Sequence, residues 1–289
     1  MNPAARRAAL VALLTLSITF AARADDPAPA AAPRIAPRGV PIGDVVPDFQ
    51  AVDADGVAFS LAGARTIAPE GAVASVLAAA KAAGTTDASE ATKIDAVVAA
   101  GGPVDPARRV AFIQAAWRPY GLVASESSTK AFDTLGDLAK RIVASASAPI
   151  VLFAWASTCP TIALYQDRLL EWFSATGARV FPFACSGDET LESIHAAVKE
   201  KSLPWRILVD ADAKIADLLG ARTTPHTFVL DEKNVLRFDG APDSDPALMA
   251  EESKRIPYLL NALTAVSTGR SVEIRMTNPK GCRIRRKKA

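Results

Sequence analysis

Histidine, cysteine and aromatic side chains are scarce in this chain, which has two histidines, three cysteines and 6% aromatics among 289 residues. Two histidines, His195 and His226, cannot build a histidine-rich metal site, and a zinc hydrolase centred on one is excluded. Three cysteines, Cys159, Cys185 and Cys282, are too few to staple a chain of this length, so this is no disulfide scaffold. Charge is also thin, at 22% against 50% hydrophobic residues, a balance that buries a core and excludes wholesale disorder. The apolar share leans on alanine, which favours tightly packed helices. The formal net charge of +2 sits at the two ends. Arg6, Arg7 and Arg23 lie in an acid-free segment of 24 residues, and Lys280, Arg283, Arg285, Arg286, Lys287 and Lys288 in the last ten positions. The body between them is net acidic, which argues against a nucleic-acid-binding surface.

A long hydrophobic run is missing too. Ala8 to Ala22 is apolar apart from Thr15, Ser17 and Thr19, and falls short of the roughly 20 residues that span a bilayer. With Arg6-Arg7 before it and Ala22-Arg23-Ala24 after it, residues 1–24 are predicted to be a secretory signal peptide cleaved before Asp25. Membrane contact is expected only through an uncleaved signal segment. The mature protein is expected in the periplasm or outside the cell, where disulfides persist. Three thiols then leave one free, paired between molecules, or exchanging partners.

Residues 25–41 are Ala/Pro-rich without periodicity and read as an extended linker. From Ile42 order is expected. Pro47 to Leu61 predicts a β-hairpin turning at Asp55-Gly56, and Asp48 and Asp53 read as turn-forming or solvated carboxylates rather than acid/base groups. Residues 62–147 differ from both flanks. Ala72 to Ala83, Ala91 to Ala100, Pro106 to Trp117 and Leu135 to Ala144 predict helices, a helical insertion lacking cysteine, histidine and any glycine-rich phosphate loop. From Pro149 strands and helices alternate. Strands are predicted at Ile150–Trp155, Arg179–Ala184, Arg206–Val209, Thr227–Leu230 and Val235–Phe238. Helices are predicted at Pro160–Ala175, Glu189–Lys201, Ala213–Leu219 and Pro246–Val266, the last bent at Pro257. The order implies an α/β fold with a mixed sheet and helices on both faces.

Cys159 carries the chemistry. It follows a strand and opens a helix whose first position is Pro160, so its sulfur meets the unpaired amides and positive end of the helix dipole. That placement stabilises thiolate, the nucleophile of disulfide exchange and of peroxide reduction. The plainer alternative is a buried, inert structural cysteine.

The segment Phe153-Ala154-Trp155-Ala156-Ser157-Thr158-Cys159-Pro160 resembles the active-site segment of the thioredoxin-like superfamily. Thr223-Thr224-Pro225 is similar to that family's cis-proline loop, and Gly43 to Phe49 with Asp55-Gly56 to the N-terminal hairpin of its redoxin and alkyl hydroperoxide reductase/thiol-specific antioxidant branch. Gly281-Cys282-Arg283-Ile284 resembles a tail of exported, single-domain redoxins with a Cys-Pro active site. The resemblance implies a thioredoxin-like mixed sheet flanked by helices over residues 42–285, interrupted by the insertion 62–147 and followed by a basic tail, 286–289. It implies that Cys159 is catalytic and that Pro225 helps to hold an extended partner chain, with Thr224, Trp155 and Pro160 around the substrate. No cofactor and no metal are expected.

Departures narrow the reading. Ile162 stands where a C-x-x-C pair would place its second cysteine. Leu152 and Ala156 stand where the peroxiredoxin pattern would place proline and threonine. Two cysteines then compete to resolve an oxidised Cys159. Cys185 follows the neighbouring parallel strand, and Cys282 belongs to the tail that the resemblance favours. His226 would lie near Cys159 and offers a copper ligand with Cys159 and Cys185, although a surface or strand-capping histidine is simpler. His195 reads as a solvated helix residue. The leading expectation is an exported thiol-disulfide oxidoreductase acting on a protein disulfide or thiol. Its rivals are a thiol peroxidase acting on peroxide and a non-catalytic thioredoxin-like binding module.

Overall fold

Six consecutive apolar residues, Ile150–Trp155, form strand β3, and all six are buried. A strand covered on both faces explains the unbroken apolar run. Alternation still sorts its side chains. Val151, Phe153 and Trp155 enter one core cluster, and Ile150, Leu152 and Ala154 the other. The computed structural model describes residues 39–82, 106–129, 135–247 and 249–286. The predicted signal peptide, nearly all of the predicted linker, the predicted helix Ala91–Ala100 and the end of the basic tail lie outside the described residues.

The hairpin is β1 (Gln50–Asp53) and β2 (Ala58–Ser60). Asp53 Oδ1 accepts the amides of Asp55 and Val57 at 3.0 and 2.8 Å and so builds the turn. After β3 come β4 (Arg179–Ala184), β5 (Leu208–Val209), β6 (Thr223–Thr224), β7 (Thr227–Leu230), β8 (Leu236–Gly240) and β9 (Cys282–Arg283). Seven strands make one sheet in the order β2-β1-β5-β4-β3-β7-β8. β3, β4 and β5 are parallel, and β1, β2, β7 and β8 run antiparallel to their neighbours. β6 and β9 form a separate antiparallel pair.

Between β2 and β3 stand α1 (Leu61–Arg65), α2 (Pro69–Ala82), α3 (Pro106–Trp117), α4 (Glu126–Thr129) and α5 (Leu135–Ala144). Ala72, Val76, Ile113, Trp117, Leu138 and Ile142 give α2, α3 and α5 a small core of their own. Later helices are α6 (Pro160–Thr176), α7 (Leu191–Glu200), α8 (Lys214–Leu219) and α9 (Tyr258–Ser267). α6, α7 and α9 cover one face of the sheet, while α1 and α8 cover the other. This is the mixed sheet flanked by helices that the strand and helix order implies.

Two elements are much shorter than the sequence reading. The expected long helix Pro246–Val266 is only α9, which starts at Tyr258 with Pro257 as its N-cap. Proline lacks the amide that a helix interior needs, so the helix begins after it rather than bending through it. Upstream, Asp243 and Asp245 take up the backbone instead, accepting the amides of Asp245, Met249 and Ala250. The expected strand Arg206–Val209 pairs only at Leu208 and Val209. Arg206 is drawn away by Asp53 Oδ2, which accepts from its Nε at 2.7 Å.

Candidate active site around Cys159 and Cys282

β3 delivers the chain to the sheet edge, and Ala156-Ser157-Thr158 turns it into α6. Cys159 is the N-cap of that helix and Pro160 its first residue. The Cys159 amide donates to Ala156 O, and the Cys159 carbonyl accepts from the Ala163 amide, both at 3.3 Å. The turn is clamped from the side. Glu189 Oε1 accepts from the amide and the hydroxyl of Ser157 at 2.7 and 3.0 Å, and Lys201 Nζ donates to Ser157 O at 3.1 Å. Ser193, on the first turn of α7, donates to Glu189 Oε2 and fixes the carboxylate in turn. Sequence reasoning missed Ser157, Glu189 and Lys201 as positioning residues, because nothing in their spacing ties residue 157 to residues 189 and 201.

The Thr224-Pro225 peptide bond is cis. Thr224 O lies 3.1 Å from Cys159 Sγ, so the loop before β7 meets the end of β3 as expected. The C-terminal segment closes the arrangement. β9 pairs with β6 in the register Thr223↔Arg283 and Thr224↔Cys282, and Ile284 N donates to Arg222 O at 3.1 Å. The approach is close enough that Gly281 cannot carry a side chain, since a Cβ there would stand 2.2 Å from Thr224 O. Cys282 Sγ thereby comes to 2.8 Å from Cys159 Sγ and 3.9 Å from Thr161 Oγ1.

The two sulfurs differ electrostatically. Burial works to raise the Cys159 thiol, but hydrogen bonds from the Cys282 thiol, the Thr224 hydroxyl and the Ile162 and Cys282 amides outweigh it and hold Cys159 below its ordinary value. Cys282 moves the opposite way, raised by burial and by its bond and charge interaction with Cys159. Of the two thiols, Cys159 is therefore the one that ionises first. Only the pair is partly open to solvent through Cys282, because Cys159 itself is buried.

The remaining candidates fall in different places. Cys185 joins the cluster of Phe181 and Phe183, on the sheet face away from the cluster that holds Cys159. Burial, reinforced by Asp210, pushes its thiol up to about 12. Strand adjacency to β3 is real, yet the two-residue period points the residue after Ala184 to the wrong face, a signal already present in the alternation of Val180, Phe181, Phe183 and Ala184. Pro225 and Thr224 are buried beside Cys159, and Pro160 is exposed on the rim. Trp155 has no exposed surface, so it packs behind Cys159 rather than meeting a substrate. Its indole nitrogen has no hydrogen-bond partner among the described residues.

His226 is neither on the surface nor a ligand. It is 1% exposed, accepts the Arg222 amide at Nδ1, and pairs through Nε2 with Asp239 Oδ1 at 2.5 Å. Both ring nitrogens are thus engaged, and no group of three His, Cys, Asp or Glu side chains among the described residues is arranged to hold a metal. His195 is not simply solvated, since its Nε2 meets Ala54 O at 2.8 Å in the hairpin turn.

Residues 135–254 match the family model described as Redoxin. The thiol:disulfide interchange protein DsbE of Escherichia coli (strain K12) is 29% identical to the chain over 126 residues, 43% of this chain and 66% of the relative. The protein of the same name from Shigella flexneri matches to the same extent. The chain thus spans just under two thirds of these relatives' length. Among solved structures, a hypothetical protein from Sinorhizobium meliloti 1021 has a TM-score of 0.53 and 18% identity, covering 87% of this chain and 97% of that one. An uncharacterized conserved protein from Geobacillus kaustophilus has a TM-score of 0.52 and 14% identity, covering 86% and 94%. These two likenesses concern the fold alone. Cys159, Pro225 and the clamp on Ser157 lie inside the matched segment, whereas Cys282 lies beyond its end. No helix among the described residues is long and apolar enough to cross a membrane.

Proposed function

We propose that the protein is an exported thiol-disulfide oxidoreductase in which Cys159 is the nucleophile and Cys282 the resolving cysteine. The observation that carries the reading is the 2.8 Å separation of their sulfurs, with the more readily ionised thiol on the cysteine that caps α6. The Cys159 thiolate attacks one sulfur of a partner disulfide, forming a mixed disulfide and releasing the other partner sulfur as thiolate. Cys282, deprotonated as it reacts, attacks Cys159 Sγ, so the second partner sulfur leaves as a thiol and a Cys159–Cys282 disulfide remains. Two electrons have passed to the partner, and an external dithiol returns the pair to its starting state. Run backwards, the same steps oxidise a dithiol partner.

The clamp on Ser157 keeps the turn before Cys159 in place through the cycle. Pro225 and Thr224 border the sulfur, and Pro160 forms the rim that a partner meets first. Similarity to a thiol:disulfide interchange protein supports the reaction class, and the acid-free N-terminal segment of 24 residues supports export. Cys185 has no part in the cycle.

Thiol trapping with peptide mapping tests this. Mild oxidation with a disulfide is expected to bridge Cys159 to Cys282 reversibly, and Cys282→Ala to stop at a mixed disulfide on Cys159. Three unchanged, slowly alkylated thiols would leave a binding module instead. A sulfenic acid on Cys159, formed by peroxide but with no response to disulfides, would make the protein a peroxidase.

A further inference from the structure

Away from the sulfur pair, a cavity of about 400 Å³ lies between the sheet and the helices that follow β2, lined by Phe59, Phe181, Tyr120, Arg179, Arg206 and Thr66. Its volume falls in the range of small-molecule sites. Arg179 is the first residue of β4 and pairs with the first residue of β3, whereas Cys159 lies beyond the far end of β3. One strand length of roughly 20 Å separates the two places.

Arg179 is 1% exposed and has no carboxylate partner among the described residues. Its Nε donates to Tyr120 O at 2.7 Å and its Nη1 to Ala64 O, which leaves Nη2 without a protein acceptor among the described residues. The charges nearest to it are those of Arg65 and Arg206, and together with burial they push Arg179 down to about 9, so it stays a cation at neutral pH. Arg206 is paired with Asp53 and also donates to the carbonyls of Pro119, Val57 and Ala58. Arg65 is bound to Asn234 and to the carbonyls of Ala146, Ala148 and Asp231. A buried charge without a counter-charge is costly, and an anion beside it removes that cost. The cavity wall supplies the rest of the ligand's description. Phe59 and Phe181 pack with ring centroids 4.8 Å apart and planes tilted by 53°, and each carries an arginine over its face at about 5.5 Å. Gly121, at φ +75°, lets the chain after α3 descend onto this floor, because a Cβ there would stand 2.7 Å from the Phe181 ring.

We infer that this cavity binds a small carboxylate with a flat apolar body, its charge on Arg179 Nη2 and its body beside Phe59, Ile67 and Tyr120. One cationic guanidinium without a counter-charge, with both N–H groups of Nη2 free, matches the single charge of a carboxylate better than a phosphate dianion. The site is separate from the redox pair and stands whether or not that reading of Cys159 holds.

Calorimetric titration of the full protein with sodium benzoate, at ionic strength fixed with chloride, tests the inference. Saturable one-to-one binding is expected, with no binding of the neutral isostere benzyl alcohol. Ala58 is an exposed residue of the cavity lining that makes no bond to Arg179, and Ala58→Phe is expected to abolish binding by taking up cavity volume. Arg179→Met is expected to weaken it at least tenfold, and alkylation of Cys159 to leave it unchanged. The inference is overturned by no saturable benzoate binding to the unaltered protein, by equal binding of benzyl alcohol, by tighter binding of inorganic phosphate, or by full binding in Ala58→Phe. Should Arg179→Met fail to fold, the neutral isostere and Ala58→Phe decide.

Discussion

Two sulfurs 2.8 Å apart do not ionise independently. Cys159 ionises before Cys282, a bond from the Cys282 thiol favours the Cys159 thiolate as it forms, and each titration is displaced by the other. The sign follows directly. Removing the donor with Cys282→Ala takes away a stabilising bond to the thiolate, so the Cys159 thiol titrates at higher pH. Its alkylation by iodoacetamide, followed by peptide mapping, is expected to reach its plateau at lower pH in the unaltered protein than in Cys282→Ala. Below its folded-state pKa the rate falls about tenfold per pH unit, because only thiolate reacts. Coincident profiles would mean that Cys282 gives Cys159 nothing. Cys185 makes a contrasting control. With its thiol pushed up to about 12 and its side chain sealed under the sheet, it is expected to resist alkylation at pH 8 until denaturant is added. Rapid labelling of Cys185 in the folded protein would contradict its placement. At this scale the cap position of Cys159 was legible, because an apolar run of strand length ends just before it and Pro160 suits the first position of a helix. The partner sulfur at Cys282 came only from resemblance.

The elements explain that difference. β3 and β4 each announce themselves by six-residue runs, and the Asp-Gly turn marks the β1–β2 hairpin. β9 is two residues long, too short for any period, and its position comes from a close approach that local sequence does not encode. Gly281 is the one local trace of it. A Cβ at 281 would stand 2.2 Å from Thr224 O and 3.2 Å from Pro225 Cδ, so Gly281→Ala must push β9 off β6. The variant is expected to keep its far-ultraviolet circular dichroism and melting midpoint while bridging Cys159 to Cys282 at least tenfold more slowly. Normal bridging in Gly281→Ala would show that the pairing of β6 with β9 does not position Cys282. The expected long helix through Pro257 failed for a related reason. Alanine and leucine carry the helical pattern across residues 246–266, but one missing amide and the carboxylates of Asp243 and Asp245 decide where it starts.

Across the whole molecule, Cys159 and Cys282 are 123 positions apart. A bridge between them closes most of the sheet, from the start of α6 to β9, into one covalent ring. Loop-closure entropy for a ring of that order corresponds to about 5 kcal/mol of stability. The oxidised protein is therefore expected to unfold at a clearly higher denaturant concentration than the reduced one, and Cys282→Ala to show no such gap. Equal midpoints in the two redox states would mean that no long-range bridge forms. The sheet and its two cores were readable from apolar runs and alternation. The cluster of Arg65, Arg179 and Arg206 was not, since each arginine belongs to a different segment and only packing gathers them.

The tail that carries Cys282 is attached along a narrow line. It holds through the two residues of β9, the Ile284 amide on Arg222, the Arg285 carbonyl under the Gly187 amide, and the Arg286 ion pair with Asp217 at 2.6 Å. A tensile load applied at the C-terminus meets these bonds one after another, as a zipper does, while the seven-stranded sheet stays unstressed. In the reduced protein the two sulfurs part early under such a pull. In the bridged protein the same pull stops at a covalent bond anchored on α6.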